Sequence, residues 1–598
     1  MKTHTIQQRS QQNKTDCWDL STLFQSDDDW EQALKKILPL AEKIVALKGH
    51  IQENDNLFEA LRINEEMNEL GERLGNYAFL LTAQDAGDTA SQDKMGRCMM
   101  VVSEAEAKIS FLIPEIQSID ETTINNCLQQ ENFTPYRVFL QKLLRFRPHI
   151  LSEKEERLFA LQHESAETPS KAFSMLTDVD MDFGTVKTEQ GDMPLSQTTW
   201  SAFMLNKNRE IRKDAYSRFY SVFDAHKNTL ATLYAGSVNH NIYEARARDY
   251  PSAREMALFP DKVPVSVYDN LITTIRANLK PLHRYYALMK KILGVNELRH
   301  YDVYLPLTKD IRFTTSYNDA TELLRKALAP LGTEYTDTLC TGLQNGWVDR
   351  YENKGKRSGA FSAGAYTGYP YILMNYKEDV LRDVFTLAHE GGHSMHSWYS
   401  SKSNPFMSYN YTIFEAEVAS TFNEELLFRY LMKNTDEKNQ KAYLLCVRAG
   451  DILATLYRQT MFAEYEKKTH ELVESGTPLS VDVCRSIYRE LLETYFGKDM
   501  ILEKESDLEC LRIPHFYRAF YVYKYATGIS ASLALAKRVL EGGDKEREEY
   551  FSFLKSGGSQ YPIESLKQAG VDMEKPEAIQ DAVDIFAKLV DEIENLLT

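Results

Sequence analysis

The stretch His389-Glu390-Gly391-Gly392-His393 sets two imidazoles four residues apart, with a carboxylate beside the first. On a helix, residues i and i+4 share a face with Cβ atoms about 5–6 Å apart, so both rings reach one ion at about 2.0–2.1 Å, the zinc–imidazole distance. Glu390 then projects beside the metal, where a carboxylate can take a proton from activated water. That is the chemistry of metal-assisted hydrolysis. A His-Glu-x-x-His string also arises by chance in a chain with 13 histidines, so its surroundings decide.

A hydrolytic zinc takes three protein ligands and leaves one position open. His396 lies on the face of His393, but a rise of 1.5 Å per residue puts it about 10 Å along the axis from His389. One straight helix cannot wrap three ligands around one ion, and no Gly or Pro between 393 and 396 turns the chain. His396 is therefore the weaker candidate, with a supporting or substrate-facing place as its other reading. Glu417, in Phe414-Glu415-Ala416-Glu417-Val418-Ala419-Ser420, is the stronger one. It lies seven residues before Glu424 and so shares its helical face, which lets Glu417 hold metal while Glu424 accepts the free N–H of a ligand histidine.

A third block, Pro514-His515-Phe516-Tyr517 through Tyr521-Val522-Tyr523-Lys524-Tyr525, is rich in phenol and imidazole donors. Such groups stabilise the oxyanion formed when water attacks a carbonyl. Tyr521 and Tyr525 read as one helical face with His515 near its beginning. In a chain with 34 Tyr and 28 Phe, at least one of these aromatics is expected in the core.

Together, His389-Glu390-x-x-His393, the Phe-Glu-Ala-Glu417-Val-Ala-Ser block and the Ile513-Pro-His515-Phe-Tyr to Tyr525-Ala-Thr-Gly528 block resemble the thimet-oligopeptidase-like zinc peptidases, and most nearly their oligoendopeptidase F branch. The blocks fall in the right order over about 140 residues, which is far more specific than the first alone. The resemblance implies one zinc per chain on His389, His393 and Glu417, with Glu390 as general base. It also implies His515 and a tyrosine as donors to the scissile carbonyl: Tyr525 first, Tyr521 next, with Tyr517 and Tyr523 still open. Gly391 departs from the pattern, where a larger residue is expected.

These groups need rigid carriers. Val380, Leu381, Val384, Leu387 and Ala388 have helical spacing, which places the motif on a helix with an apolar face; Asn375 reads as its N-cap, and Glu378 and Asp379 as first-turn acids. Each of Gly391 and Gly392 costs about 1 kcal/mol against Ala in a helix, so something is expected to approach closely there, a substrate or the neighbouring metal-bearing helix. Upstream, the glycine-rich segment 359–368 leads into a short strand ending at Met374, whose edge could hold an extended peptide by its backbone. Helical patterning dominates elsewhere, as over 30–45 and 269–293. Around 181–200 a Gln190-Gly191-Asp192 turn between β-like runs predicts a hairpin.

Composition bounds the rest. A chain of 598 residues with 43% hydrophobic and 26% charged content is that of an ordinary globular protein. Its formal charge of −17 argues against nucleic acid as a partner. Seven scattered cysteines without a Cys-x-x-Cys pair fit reduced thiols, and Met1 to Ser10 is polar with no apolar run, so a cytoplasmic location and no membrane are expected.

The expected architecture is mainly α: a two-lobed, zincin-like helical peptidase with a small β element and a deep substrate channel, its N-terminal helical lobe over 1–200 and its catalytic domain over 201–598. The expected activity is zinc-dependent hydrolysis of internal bonds in short oligopeptides. An exopeptidase on the same scaffold is the alternative, and an inactive helical binding scaffold a more distant one.

Overall fold

The computed structural model describes residues 6–309, 311 and 313–598; the first five residues of the polar N-terminal stretch lie outside them. Helices dominate, and the strands are short, in two two-stranded sheets and one three-stranded sheet among the described residues. Among the described residues, no helix is long and apolar enough to cross a membrane. The seven cysteines carry no disulfide.

The chain divides into two compact units, each discontinuous in sequence. One comprises residues 1–147, 312–433 and 535–571, and the other 148–311, 434–534 and 572–598. The expected single boundary near residue 200 therefore differs from this division, because later segments return to each unit.

In the first unit, the helices Asn54–Gln84 and Thr89–Lys108 pack with the preceding segment around Trp30, whose indole N–H donates to the Leu74 carbonyl at 3.2 Å. The helical pattern over 30–45 is realised as two helices, Asp27–Leu34 and Ile37–Val45. Pro39 explains the break, since its ring would clash with the carbonyl four residues back in a continuous helix. Tyr371 and Leu373 of the strand Tyr371–Leu373 belong to the same core. That strand is central in its sheet, parallel to Val348–Asp349 on one side and antiparallel to Phe361–Ala363 on the other.

The second unit is organised on the 39-residue helix Arg209–Ala247, which buries Tyr216, Phe219, Tyr220, Phe223 and Tyr234. The expected hairpin is present as Thr185–Thr188 paired antiparallel with Gly191–Pro194, with Gly191 at φ +109 opening the return strand. Patterning over 269–293 resolves into Val265–Ala277 and Lys280–Leu293, again because a proline, Pro281, forbids the helical carbonyl four residues earlier.

One buried ion cluster ties the sheet of the first unit to the N-terminal segment. Asp349, 1% exposed, meets Arg9 at 2.5 Å and the fully buried Lys356 ammonium at 2.6 Å. Removing the carboxylate leaves a buried cation without its partner, a change that costs about 3–5 kcal/mol. Asp349→Ala is therefore expected to lower the denaturation midpoint sharply, while Arg9→Ala, which removes the more exposed cation, costs less. Equal, small effects in denaturant titrations would show that the cluster does not hold the segment.

Candidate active site

The motif lies on the helix Leu381–Ser403, with Val384, Leu387 and Ala388 buried as its spacing predicts. Its start differs from the expectation. The N-cap is Val380, without a side-chain cap bond, and Glu378 and Asp379 precede the helix. Asn375 is committed elsewhere: its amide donates to the carbonyls of Arg357 and Gly359 at 3.0 and 2.9 Å and staples the glycine-rich loop. Asp383 does the work at the helix start, accepting from the Lys377 N–H at 2.7 Å.

Glu417 lies on the helix Ile413–Asn434, which crosses the motif helix at very close range. A Cβ on Gly392 would sit 2.5 Å from the Ala419 carbonyl oxygen and 2.6 Å from Ser420 Cα, so only glycine allows this approach. At Gly391 the same atom would meet Leu339 at 3.2 Å, which accounts for a small residue at that position too. Asn423 fastens the crossing: its amide donates to the Ala388 carbonyl at 3.2 Å and its oxygen accepts from the Tyr335 hydroxyl at 3.0 Å.

The crossing brings three donors together. His389 Nε2 lies 3.2 Å from His393 Nε2 and 3.5 Å from Glu417 Oε2, and His393 Nε2 lies 4.0 Å from Glu417 Oε2. Ligands at about 2.05 Å on a tetrahedral ion are about 3.3 Å apart, so the set fits zinc. Among the described residues this is the one group of His, Cys, Asp and Glu whose ligand atoms all lie within 4.8 Å of one another. The second nitrogens are also occupied as a metal site requires. His389 Nδ1 pairs with Glu424 Oε1 at 2.5 Å, and the Ala416 carbonyl accepts from the His393 ring, which leaves both Nε2 atoms aimed at the same point.

Electrostatics point to the same use. Burial disfavours charge on His389, yet the bond to Glu424 and the charges of Glu424, Glu417 and Glu390 overcome it and lift the imidazole to about 9. Three carboxylates thus hold a proton where a divalent cation would replace it. His393 is held down to about 3, by burial first and by His389 and His396 next, so it is neutral and ready to ligate. Glu390 is 7% exposed; burial pushes its carboxyl up to about 7, His389 opposes this, and Glu417 adds to it. The Ser362 backbone N–H donates to Glu390 from the edge strand Phe361–Ala363.

His396 stands apart from this cluster. Fully buried, it stacks on Tyr411 at 3.6 Å between centroids with planes 6° apart and contacts Phe553. It faces the core and no open site.

The Peptidase family M3 profile matches residues 202–585, and an Oligopeptidase F profile matches residues 115–183. The chain belongs to peptidase family M3. It is similar to Oligopeptidase PepF of Bacillus subtilis, at 41% identity over all of this chain and 89% of that protein. The Oligoendopeptidase F homolog of Borreliella burgdorferi is also 41% identical, over 98% of this chain and 99% of its own length. Among solved structures, oligoendopeptidase-F from Enterococcus faecium superposes with a TM-score of 0.73 at 31% identity, covering 95% of this chain and 98% of that one. The M3 chain described here is a peptidase hydrolase of the oligoendopeptidase F type, on a mainly helical zincin-like fold.

In the second unit of this M3 peptidase, the aromatic block resolves into two groups. Tyr521 and Tyr525 meet edge to face at 5.4 Å, and His515 lies 6.5 and 6.2 Å from them. Tyr523 is fully buried against Tyr268 at 5.1 Å and belongs to the core, whereas Tyr517, half-buried, packs on Phe173 at 4.6 Å and away from the other group. The expected common helical face is corrected: the helix is Tyr523–Glu541, Tyr521 precedes it, and His515 lies in the separate turn Pro514–Tyr517. Phe520, at φ +55, breaks the helix between them.

Sequence reasoning missed Asn423, Ser362 and the Ala416 carbonyl. Two of the three act through backbone groups, which carry no residue signal; Asn423 faces inward from a helix and reads as any buried polar residue. The crossing yields a direct expectation. Gly392→Ala forces two backbones apart and should cost about 1–3 kcal/mol in stability with loss of metal retention, whereas Glu424→Gln should weaken metal affinity about 10–100-fold with the fold intact. Melting curves and metal analysis after dialysis separate the two; full metal retention in Gly392→Ala contradicts the close-approach account.

Proposed function

We propose that this peptidase holds one zinc on His389, His393 and Glu417 and cleaves internal bonds of short oligopeptides, with Glu390 as general base. The spacing of the three donor atoms, 3.2, 3.5 and 4.0 Å, carries this reading. Bound zinc supplies a Lewis acid that polarises the scissile carbonyl and makes water acidic near neutral pH.

The chain's own groups supply the proton transfers. Glu390, with a carboxyl poised at about 7 by burial, takes a proton from the attacking water and returns it to the leaving amine. Glu424 keeps the His389 ring oriented through its Nδ1–H. His515, Tyr525 and Tyr521 donate hydrogen bonds to the oxyanion, a role supported by their mutual packing and by the family resemblance. The edge strand Phe361–Ala363 offers backbone groups to an extended substrate. A cytoplasmic location and peptide substrates, with neither nucleic acid nor membrane as partner, fit the acidic composition, cysteines that form no disulfide and, among the described residues, the absence of a membrane-length apolar helix.

A peptide blocked at both ends tests the endopeptidase reading. Internal cleavage, read by mass spectrometry, is expected; resistance together with cleavage of the unblocked peptide would assign an exopeptidase. Glu390→Gln should lower kcat by several orders of magnitude with one zinc per chain retained. Glu417→Ala should lose zinc, whereas His396→Ala should keep it. Zinc loss in His396→Ala with retention in Glu417→Ala would reverse the ligand assignment.

A further inference from the structure

The non-helical turn that separates His515 from Tyr521 is held by a buried acid. Phe520 takes a left-handed backbone, φ +55, a conformation that an aromatic residue adopts only under constraint from its surroundings. Two constraints are present, and both start from the helix Gln459–Glu474. The Phe520 N–H donates to Glu466 Oε1 at 3.0 Å. Its ring, 2% exposed, lies 4.6 Å from the His470 ring and 5.9 Å from Tyr268.

The clamp is itself fixed. His470 Nδ1–H donates to the Glu466 carbonyl at 2.8 Å, and its Nε2 accepts from the Asn241 amide at 3.2 Å. Burial holds this imidazole down to about 4, so it is neutral and keeps that single tautomer. Tyr268 donates to the Ala463 carbonyl at 2.7 Å, on the same helix. Glu466 is 0% exposed and, among the described residues, pairs with no cation; burial raises its carboxyl well above the usual range and keeps it a neutral acid. A buried acid with one backbone N–H as its described partner stabilises that N–H's conformation more than it stabilises the core, because an apolar side chain would fill the volume without desolvation cost.

We propose that Glu466 is a positioning residue for the oxyanion donors: by holding the Phe520 N–H it fixes the left-handed turn that presents Tyr521 to Tyr525 and His515. This rests on the assignment of those three residues to the oxyanion. The turn also sets the stack of the Arg518 guanidinium over the Tyr521 ring, 4.2 Å to the centroid. Neither Glu466 nor Phe520 touches substrate in this account.

The test uses the zinc-loaded full chain and a blocked internally quenched peptide. Glu466→Leu keeps the volume and removes the acceptor; it should lower kcat about 10–100-fold, with KM within about threefold and zinc content unchanged. Glu466→Gln presents the same carbonyl oxygen and should stay within about twofold of wild type. If Glu466 acts through Tyr521, the losses of Glu466→Leu and Tyr521→Phe should not multiply in the double variant. Should Glu466→Leu fail to fold, Phe520→Ala replaces it, since release of the ring from His470 and Tyr268 should give the same kcat-selective loss. Wild-type kcat in these variants, or multiplicative losses, overturns the positioning role if Tyr521→Phe alone is impaired. If Tyr521→Phe, Tyr525→Phe and His515→Ala all keep wild-type kcat, the oxyanion assignment itself fails and this role fails with it.

Discussion

The contact on which the proposed metal site depends is a backbone contact. Where Gly392 meets the Ala419–Ser420 backbone, a single Cβ would come within 2.5 Å of a carbonyl oxygen. Only at this separation do side chains as short as two imidazoles and one glutamate, carried by two helices, fall within 4.8 Å of one another. A zinc site tolerates little error in its donor distances, since ligand lengths are fixed near 2.0–2.2 Å. The glycine cost in helix propensity, about 1 kcal/mol, is thus small against the metal binding that the crossing allows. Asn423 then removes the remaining freedom by joining the Ala388 carbonyl to the Tyr335 hydroxyl.

That separation also sets the electrostatics. Glu390, Glu417 and Glu424 all act on His389, and their combined charge outweighs a burial penalty that would otherwise leave the ring neutral. His393, one turn later, bonds a carbonyl in place of a carboxylate and stays neutral. The two proposed ligands are therefore unequal: one is tuned by a carboxylate that raises its basicity, the other by a neutral acceptor. Glu390 belongs to the same field, yet the Ser362 N–H and nearby His389 keep it from being pushed further up. The carboxyl proposed as general base is thus set near neutrality by burial on one side and by His389 and the Ser362 N–H on the other.

Much of this was legible in the sequence, and the reason is periodicity. His389, His393 and Glu390 are readable because helical spacing converts directly into geometry, and Glu417 with Glu424 because seven residues return to one face. The two glycines signalled close approach without saying to what. Asn375 misled because it has the residue type of an N-cap while its amide is spent on the Arg357 and Gly359 carbonyls. Tyr521 misled for a different cause: nothing in Arg518-Ala519-Phe520-Tyr521 forbids a helix, and only tertiary contacts from Glu466, His470 and Tyr268 force Phe520 into the left-handed region. Patterning likewise could not show that residues 535–571 return to the first unit, since contact between distant segments leaves no local periodicity.

The two proposed sets of functional groups thus sit on different kinds of structure, and the difference suits what each would do. Metal ligands act on a fixed point, so regular helices with a tight crossing suit them, and any slack would be lost affinity. The proposed oxyanion donors would have to meet an atom that arrives with the substrate, and an exposed His515 beside half-buried Tyr521 and Tyr525 leaves room for that. Exposure alone would leave them mobile. The left-handed Phe520 answers this by anchoring the irregular segment from beneath, with a ring and an N–H buried in the unit's core. Backbone strain there is tolerable because the surrounding helices over-determine it, and it is useful because a continued helix would turn Tyr521 away from its present partners.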